Sequence, residues 1–192
     1  MQGSNLVLLS FTTFHLIIIT DTTEDRNYKW LLGYFMTLIN YMLILLFSYH
    51  VNIPTKEVFI PPDLLIFIPQ IFIADAVFYW THRLFHTKYL YGLHKQHHDW
   101  KEPVSASFLD AHPVENILVN IPTVLVPLYI APVSNFQQCL WVISATINSV
   151  VSHMTTFNPD QPHVIHHKLR RYNFGAGGCY LMDKLMGTYK DH

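Results

Sequence analysis

The sequence predicts an all-α protein, an integral-membrane bundle of about four spanning helices with a cytosolic, histidine-rich cap. Three observations lead to this prediction. Hydrophobic residues make up 51% of the 192-residue chain and charged residues only 13%, which is about half the charged fraction of ordinary soluble domains. Long stretches contain no charge at all. Histidine is unusually frequent, with 13 residues, and most of the histidines lie between or after the apolar stretches.

The apolar stretches are long enough to supply four membrane crossings. A spanning helix needs about 20 mostly apolar residues. No Asp, Glu, Lys or Arg occurs from Trp30 to Thr55, and residues 116–159 contain none either, which leaves room there for two spans that turn near residues 131–135. The predicted spans are residues 30–49, 64–81, about 114–131 and 136–152.

The amino-terminal part is predicted as a separate group of membrane segments. Residues 6–19 are apolar but only 14 long, with no basic residue before them and no small-residue cleavage site after them, which disfavours a removable signal peptide. We expect a short span or a membrane-surface helix there. Three prolines mark a loop after the first long span, so we divide the chain into segments 1–62 and 63–192. The prolines are Pro54, Pro61 and Pro62.

The predicted spans bring two distant histidine clusters to the same side of a membrane. One cluster, residues 82–98, follows the second span, and the other, residues 153–167, follows the fourth. An even number of crossings separates them, so they can meet. Basic residues concentrate in the same segments, which makes this side cytosolic by the positive-inside rule. They are Arg83, Lys88, Lys95, Lys101, Lys168, Arg170 and Arg171.

Net charge and cysteine usage exclude several classes of function. The formal net charge is −1, so nothing favours a nucleic-acid partner. The two cysteines, Cys139 and Cys179, form no CxxC pair. They are too few for a disulfide framework or a thiolate metal site.

The spacing of the histidines predicts a site for two metal ions. Pairs at i, i+4 and triplets at i, i+3, i+4 share one face of a helix, and neutral imidazole binds iron, zinc, copper and nickel. Because zinc takes about four ligands, eight or nine histidines indicate two ions. The candidate ligands are His82, His86, His94, His97, His98, His153, His163, His166 and His167. We interpret the isolated His15, His50 and His192 as surface or interfacial residues.

Three further residues are candidates for partners of the ligands or for extra ligands. Asp75 lies on one helical stripe with His82 and His86, and a carboxylate within a span is usually functional, so we expect it to orient His82 or a neighbour; an interfacial acid is the alternative. His112 and Glu115 open the third span in the segment AHPVE. Glu115 suits the positive end of a helix, and His112 is either a tenth ligand or a ligand's partner.

The ordered motifs HRLFH, HKQHH, AHPVE, HVIHH, NFG and DKLMGTY resemble the fatty acid hydroxylase / sterol desaturase superfamily over about residues 70–190. The segment LHKQHHDWKEPVSASFLDAHPVEN is most similar to the C4-methylsterol oxidases. The resemblance makes segment 63–192 the catalytic domain and assigns the nine histidines to a non-haem di-iron site. It places the NFG element, Asn173-Phe174-Gly175, in the wall of the site, with Asn173 as a further candidate partner or ligand. Many relatives have Ser-Gly-Tyr after His153, where this chain has Met154, Thr155 and Thr156.

The same resemblance implies an activity and its partners. It implies O2-dependent hydroxylation or desaturation of a lipid, a sterol or a fatty acyl chain, with electrons from NAD(P)H, possibly through cytochrome b5 or its reductase. For a eukaryotic chain it implies the endoplasmic reticulum membrane. Two alternatives remain open. One is a non-enzymatic membrane zinc binder or transporter, which would need polar groups along the spans. The other is a scaffold that keeps the fold without activity.

Overall fold

The computed structural model describes residues 28–50, 53–55, 65, 67–156, 158–175 and 178–191, and over these residues the protein is helical, with no β-strand. The predicted all-α class is confirmed. The segment 6–19, His15, Pro61, Pro62, His192 and the side chain of His50 lie outside the described residues. The helices are α1 (Tyr28–His50), α2 (Phe67–Phe85), α3 (Tyr91–His98), α4 (Pro113–Ile130), α5 (Asn135–Ser152), α6 (Pro162–Leu169) and α7 (Leu181–Met186).

Each of the four predicted spans coincides with one of the four long helices, α1, α2, α4 and α5. By length and composition, only α4 among the described helices is apolar enough to cross a membrane. The sequence of α5 shows why it differs, since it carries Gln137, Gln138 and Asn148 together with several serines. These polar residues lower its mean hydropathy without preventing a helix.

Helix α4 starts at an unusual turn that bears on the site. His112 caps its first turn and Pro113 follows, a position where the missing proline N–H costs nothing. Residues Asn116–Asn120 then form a wide π turn. Pro122 lacks the N–H that would pair with the Leu118 carbonyl, which favours this local change of pitch. Single π turns of this kind often occur at functional sites.

Helix α1 packs against the segment between α3 and α4 through polar as well as apolar contacts. The Asn40 side chain donates to the carbonyls of Leu109 and Ala111 at 2.8 and 2.9 Å, and the Thr37 hydroxyl donates to the Ala106 carbonyl at 2.9 Å. A buried apolar cluster lies beside these bonds, formed by Trp30, Ala106, Phe108, Leu109 and Val150.

Helix α4 packs along α2, and α5 closes against both near the turn 131–134. Leu128, Val133 and Trp141 form a second buried cluster at that end. The Trp141 indole also donates to the Val124 carbonyl at 2.9 Å. The opposite end of these helices, where α2 and α5 finish and α4 begins, is where the short helices α3, α6 and α7 lie.

Candidate metal centre

The nine predicted histidine ligands converge at that end of the bundle and divide into two groups. Within each group the potential ligand atoms all lie within 4.8 Å of one another. The five-histidine group contains His82, His86, His94, His98 and His166, and the four-histidine group contains His97, His153, His163 and His167.

The division follows the helical periodicity of the motifs. Residues four apart join the same group, as the pair His94 and His98 does on α3 and the pair His163 and His167 does on α6. The third member of each triplet, His97 or His166, joins the other group. Both α3 and α6 therefore contribute to both groups, and the two groups adjoin.

The Nε2 atoms of the rings face one another at about hydrogen-bonding distance within each group. The Nε2 atoms of His82 and His94 are 3.0 Å apart, as are those of His86 and His166. In the four-histidine group the Nε2 atoms of His153 and His163 are 3.1 Å apart.

Hydrogen bonds on the far side of the rings show which nitrogen points inward with a lone pair. The Nδ1 atoms of His82, His166 and His167 lie 2.8, 2.6 and 2.8 Å from backbone carbonyls. A carbonyl can only accept, so each Nδ1 carries the proton and each Nε2 carries the lone pair. Bonds of this kind orient metal-binding histidines. The Nε2 of His167 is buried without a hydrogen-bond partner.

Burial keeps the imidazoles in the neutral form that binds metal. It lowers the pKa of His97 to about 4, that of His153 to about 3 and that of His86 to about 2, and neighbouring imidazoles add to the effect for the last two. The pKa of His98 is lowered in the same way, first by burial and then by its histidine neighbours. Neutral rings, inward lone pairs and the unpaired Nε2 of His167 together fit two cations that prefer nitrogen ligands.

A carboxylate is paired with a ligand as expected, but it is Glu115 rather than Asp75. Glu115 is buried, and its Oε1 lies 2.7 Å from Nδ1 of His94. Asp75 instead accepts a hydrogen bond from the backbone N–H of Met182 at 2.9 Å. Asp75 was expected to orient His82 or a neighbour; at Nδ1 of His82 the acceptor is the Phe174 carbonyl.

The remaining two candidates, His112 and Asn173, form hydrogen bonds with backbone groups. His112 accepts from the Val114 N–H as a helix cap and belongs to neither histidine group. Asn173, with a left-handed backbone, joins two chain segments. It donates to the carbonyls of Pro162 and Lys190 and accepts from the Lys190 N–H. The NFG element does line the five-histidine group, through Phe174, whose ring contacts His82, His86 and His166.

The spacing of the histidines did not indicate which residues provide the backbone carbonyls that accept from the Nδ1 atoms of His82, His166 and His167. The acceptors belong to Tyr172, Phe174 and Trp100. Two buried aspartates, Asp110 and Asp183, bond to the same segments. Their only signal in the sequence is an acid within each of the motifs LDAHPVE and DKLMGTY.

A cavity of about 310 Å³ opens onto both histidine groups and extends between the long helices. This volume lies at the lower end of the range of small-molecule sites. His82 and His94 line it from one group, and His97, His153 and His163 from the other. Its far wall contains apolar residues of α2, α4 and α5, among them Ile71, Ala74, Val124, Trp141 and Ala145.

Comparisons with known proteins extend over the same part of the chain. A family model described as fatty acid hydroxylase matches residues 67–188. A very-long-chain aldehyde decarbonylase, GL1-11, from Oryza sativa subsp. indica is 30% identical over 136 residues, which cover 62% of this chain and 50% of the relative. Methylsterol monooxygenase 2-2 from Arabidopsis thaliana is 29% identical over 136 residues, with the same coverage.

Fatty acid hydroxylase domain-containing protein 2 from Homo sapiens is 32% identical over 123 residues, which cover 60% of this chain and 36% of the relative. The aligned region thus spans about half or less of each of these curated relatives. No solved structure matches the chain.

Proposed function

The chain belongs to the fatty acid hydroxylase family, and on that premise we propose that it is a membrane-bound non-haem di-iron oxidoreductase. We propose that it uses O2 to hydroxylate or desaturate a C–H bond of a lipid, a sterol or a fatty acyl chain. One observation carries the proposal: two adjoining groups of inward-facing imidazoles border a single cavity. Bound iron would supply the O2-dependent oxidation of an unactivated C–H bond, which amino-acid side chains alone cannot perform.

The residues of the chain hold the metals and shape their surroundings. The five- and four-histidine groups would each hold one iron. The ring of Phe174 covers the five-histidine group on one side. Because eight of the nine imidazoles are buried, bulk water is largely excluded from the ligand atoms.

The cavity supports an apolar substrate that reaches the metals from the side of the long helices. Ile71 and Val124 line the part farther from the histidines, and Phe78 lies nearer His82. A lipid chain or ring system would bury apolar surface there, at about 25 cal/mol per Å². The names of the relatives, which refer to methylsterols and very-long-chain aldehydes, support a lipid substrate.

We also propose that the four long helices span a membrane, with the histidine groups on the cytosolic side. Most of the large exposed apolar side chains of the described residues lie on these helices, including Leu31, Phe35, Phe72 and Leu118. Contiguous exposed apolar surface of this kind marks contact with lipid or with a partner. The endoplasmic reticulum membrane, NAD(P)H as the electron source and cytochrome b5 or its reductase as donor complete the proposal for a eukaryotic chain.

The double substitution His97→Ala, His98→Ala tests the proposal, since it removes one ligand from each group. We expect the purified wild-type protein to contain two irons per chain and the double variant to lose both. Cells that express the wild type should accumulate an oxidised lipid that is absent from cells with the double variant. His112→Ala is the matched control, because it removes a histidine that lies in neither group.

Two results would overturn the proposal. One is a wild-type protein that binds no iron and, after iron loading, oxidises no lipid. The other is an oxidised lipid that persists in cells expressing the double variant at the wild-type level.

A further inference from the structure

We infer that Asp110 and Asp183, which lie outside both histidine groups, are positioning residues, each dedicated to one of the two metal sites. The inference rests on the proposed function, because it presupposes that each histidine group binds a metal. Each aspartate bonds to a residue whose backbone carbonyl accepts the Nδ1 proton of one histidine. Asp183 accepts from the backbone N–H of Phe174, and Asp110 accepts from the indole N–H of Trp100. Asp183 acts in this way on the five-histidine group and Asp110 on the four-histidine group.

Asp183 holds the segment that orients His82. Its side chain is fully buried, and its two oxygens accept from the backbone N–H groups of Phe174 and Gly175 at 2.9 and 2.7 Å. The carbonyl of the same Phe174 lies 2.8 Å from Nδ1 of His82. Thr188 donates a further hydrogen bond to Asp183 at 2.8 Å. One peptide segment therefore connects the aspartate to a ligand of the five-histidine group.

The packing around Asp183 leaves little room for this segment to move. A Cβ added to Gly175 would lie 2.8 Å from an Asp183 oxygen and 3.0 Å from an Asp75 oxygen. Asp75 in turn accepts from the N–H of Met182, next to Asp183. Asp75 thus fastens the start of α7 to α2, and α7 presents Asp183 to the segment 173–175.

Asp110 has the equivalent position beside the four-histidine group. It is buried, and one of its oxygens accepts from the Trp100 indole N–H at 2.7 Å while the other accepts from Gln96 at 2.7 Å. The backbone carbonyl of Trp100 lies 2.8 Å from Nδ1 of His167. By fixing the indole, Asp110 fixes the residue whose carbonyl orients His167.

Both aspartates use both carboxylate oxygens as acceptors, so replacing either aspartate by asparagine is an informative substitution. In Asp183→Asn the new NH2 group faces a buried backbone N–H, so two donors oppose each other and the segment must shift. In Asp110→Asn the Gln96 amide can turn to accept from the new NH2 group, but the Trp100 indole is left with a neutral acceptor, which bonds it less strongly than a carboxylate. Loss of a partner that orients a ligand lowers metal affinity about 10- to 100-fold. Because the aspartates act through one intervening residue, we expect about 10-fold.

The test is a Co²⁺ titration of the full-length, metal-stripped protein in detergent, followed by visible absorption. We expect the wild type to bind two Co²⁺ per chain. Asp183→Asn should weaken one site about 10-fold and leave the other unchanged, and Asp110→Asn should do the reverse. Asp160→Asn, at an exposed aspartate, is the matched control and should change neither site.

Ligand substitutions identify which site each aspartate affects. In a His86→Ala background the five-histidine site is already impaired, so we expect Asp183→Asn to add little. In a His163→Ala background it should retain its full effect. Asp110→Asn should show the opposite dependence. A general loss of stability would weaken both sites together, so this selectivity separates positioning from folding.

If the asparagine variants do not fold, two milder substitutions test the same inference. Trp100→Phe removes the indole donor but keeps the carbonyl that faces His167, and Thr188→Val removes the hydroxyl bonded to Asp183. Each should weaken the same site as the neighbouring aspartate substitution. Equal effects on both sites, or no effect on either, would overturn the inference while leaving the proposed function intact. A wild type that binds no metal would overturn both.

Discussion

At the scale of single residues, Glu115 differs from the other acceptors that orient ligands. His82, His153, His166 and His167 each face a backbone carbonyl through Nδ1. Among the described ligands, His94 differs in that its Nδ1 faces a carboxylate oxygen, that of Glu115, at 2.7 Å. A charged acceptor bonds more strongly than a neutral one and increases the electron density that the imidazole offers to a metal.

Glu115→Gln should therefore weaken metal binding in the five-histidine group. The amide oxygen can still accept from His94, but the negative charge is lost, and we expect metal affinity to fall about 10- to 100-fold. Competition between the protein and a chelator of known affinity for Co²⁺ measures the change. Glu102→Gln is the matched control, since Glu102 is exposed. Unchanged affinity in Glu115→Gln would show that the carboxylate has no role in orienting His94.

Asp75 and Glu115 illustrate what a sequence can predict about such partners. Both are acids next to an apolar stretch, and the sequence stripe from Asp75 through Tyr79 to His82 favoured Asp75. The structure has Tyr79 bonding to Thr188 and Asp75 bonding to Met182, both near the carboxyl end. Periodicity along one helix identifies residues on a common face, but it contains no information about the distant segment that packs there.

At the scale of secondary-structure elements, α1 contributes stability although it lies outside the region that the family model matches. Asn40→Leu removes the donor to two buried carbonyls, those of Leu109 and Ala111. The Leu109 carbonyl keeps the N–H of Ala111 as a donor, so the Ala111 carbonyl is the one left unpaired. An unpaired buried polar group costs about 1–3 kcal/mol, and we expect a destabilisation of that size. A lower thermal midpoint in detergent would show it. The control Ile39→Leu changes an exposed neighbour and should leave the midpoint unchanged; an equal midpoint in both variants would contradict the prediction.

Helix α5 provides a way to separate substrate access from metal binding. Ala145 lines the cavity, whereas Ile147 on the same helix is exposed and outside it. Ala145→Phe should fill part of the 310 Å³ cavity and abolish most lipid oxidation while two metals remain bound. Ile147→Phe should preserve both properties. Metal analysis and lipid profiling of the two variants measure the difference. Wild-type turnover in Ala145→Phe would mean that the substrate approaches by another route.

The long helices could be predicted from sequence, whereas the irregular turns could not. Apolar length alone located α1, α2, α4 and α5 to within a few residues. The π turn of α4 and the three-residue 3₁₀ turn Ser105–Ser107 left no comparable pattern, because they depend on single prolines and on local packing. The non-helical segments around Trp100 and Phe174 nevertheless supply most of the backbone carbonyls that orient the ligands.

At the scale of the whole molecule, the sequence predicted which histidines meet but not how they divide. The even number of predicted membrane crossings placed residues 82–98 and 153–167 on the same side, and the two clusters do converge in the structure. The triplets looked like single faces, so the assignment of His97 and His166 to opposite groups was not foreseen. That division depends on how α3 and α6 approach each other, which is a property of the packing between helices.

Metal removal should destabilise the whole molecule, since four chain segments contribute histidines to the two groups. Without a cation, the Nε2 lone pairs of His82 and His94, which are 3.0 Å apart, oppose one another, because both Nδ1 atoms face acceptors. A ligand at 100 times its Kd stabilises the folded state by about 2.7 kcal/mol per site, so two sites contribute about 5 kcal/mol. For a chain of this length, that corresponds to a fall in Tm of about 10–20 °C on chelation.

Thermal melts with and without a chelator measure this fall, and adding Fe²⁺ back under anaerobic conditions should reverse it. The His97→Ala, His98→Ala variant should melt at the same temperature with and without the chelator, because each group has lost a ligand. His112→Ala should respond like the wild type. If chelation left the wild-type Tm unchanged while removing both metals, the histidine groups would be stable without a cation. The short Nε2 distances would then require another source of stabilisation, such as bridging protons or water.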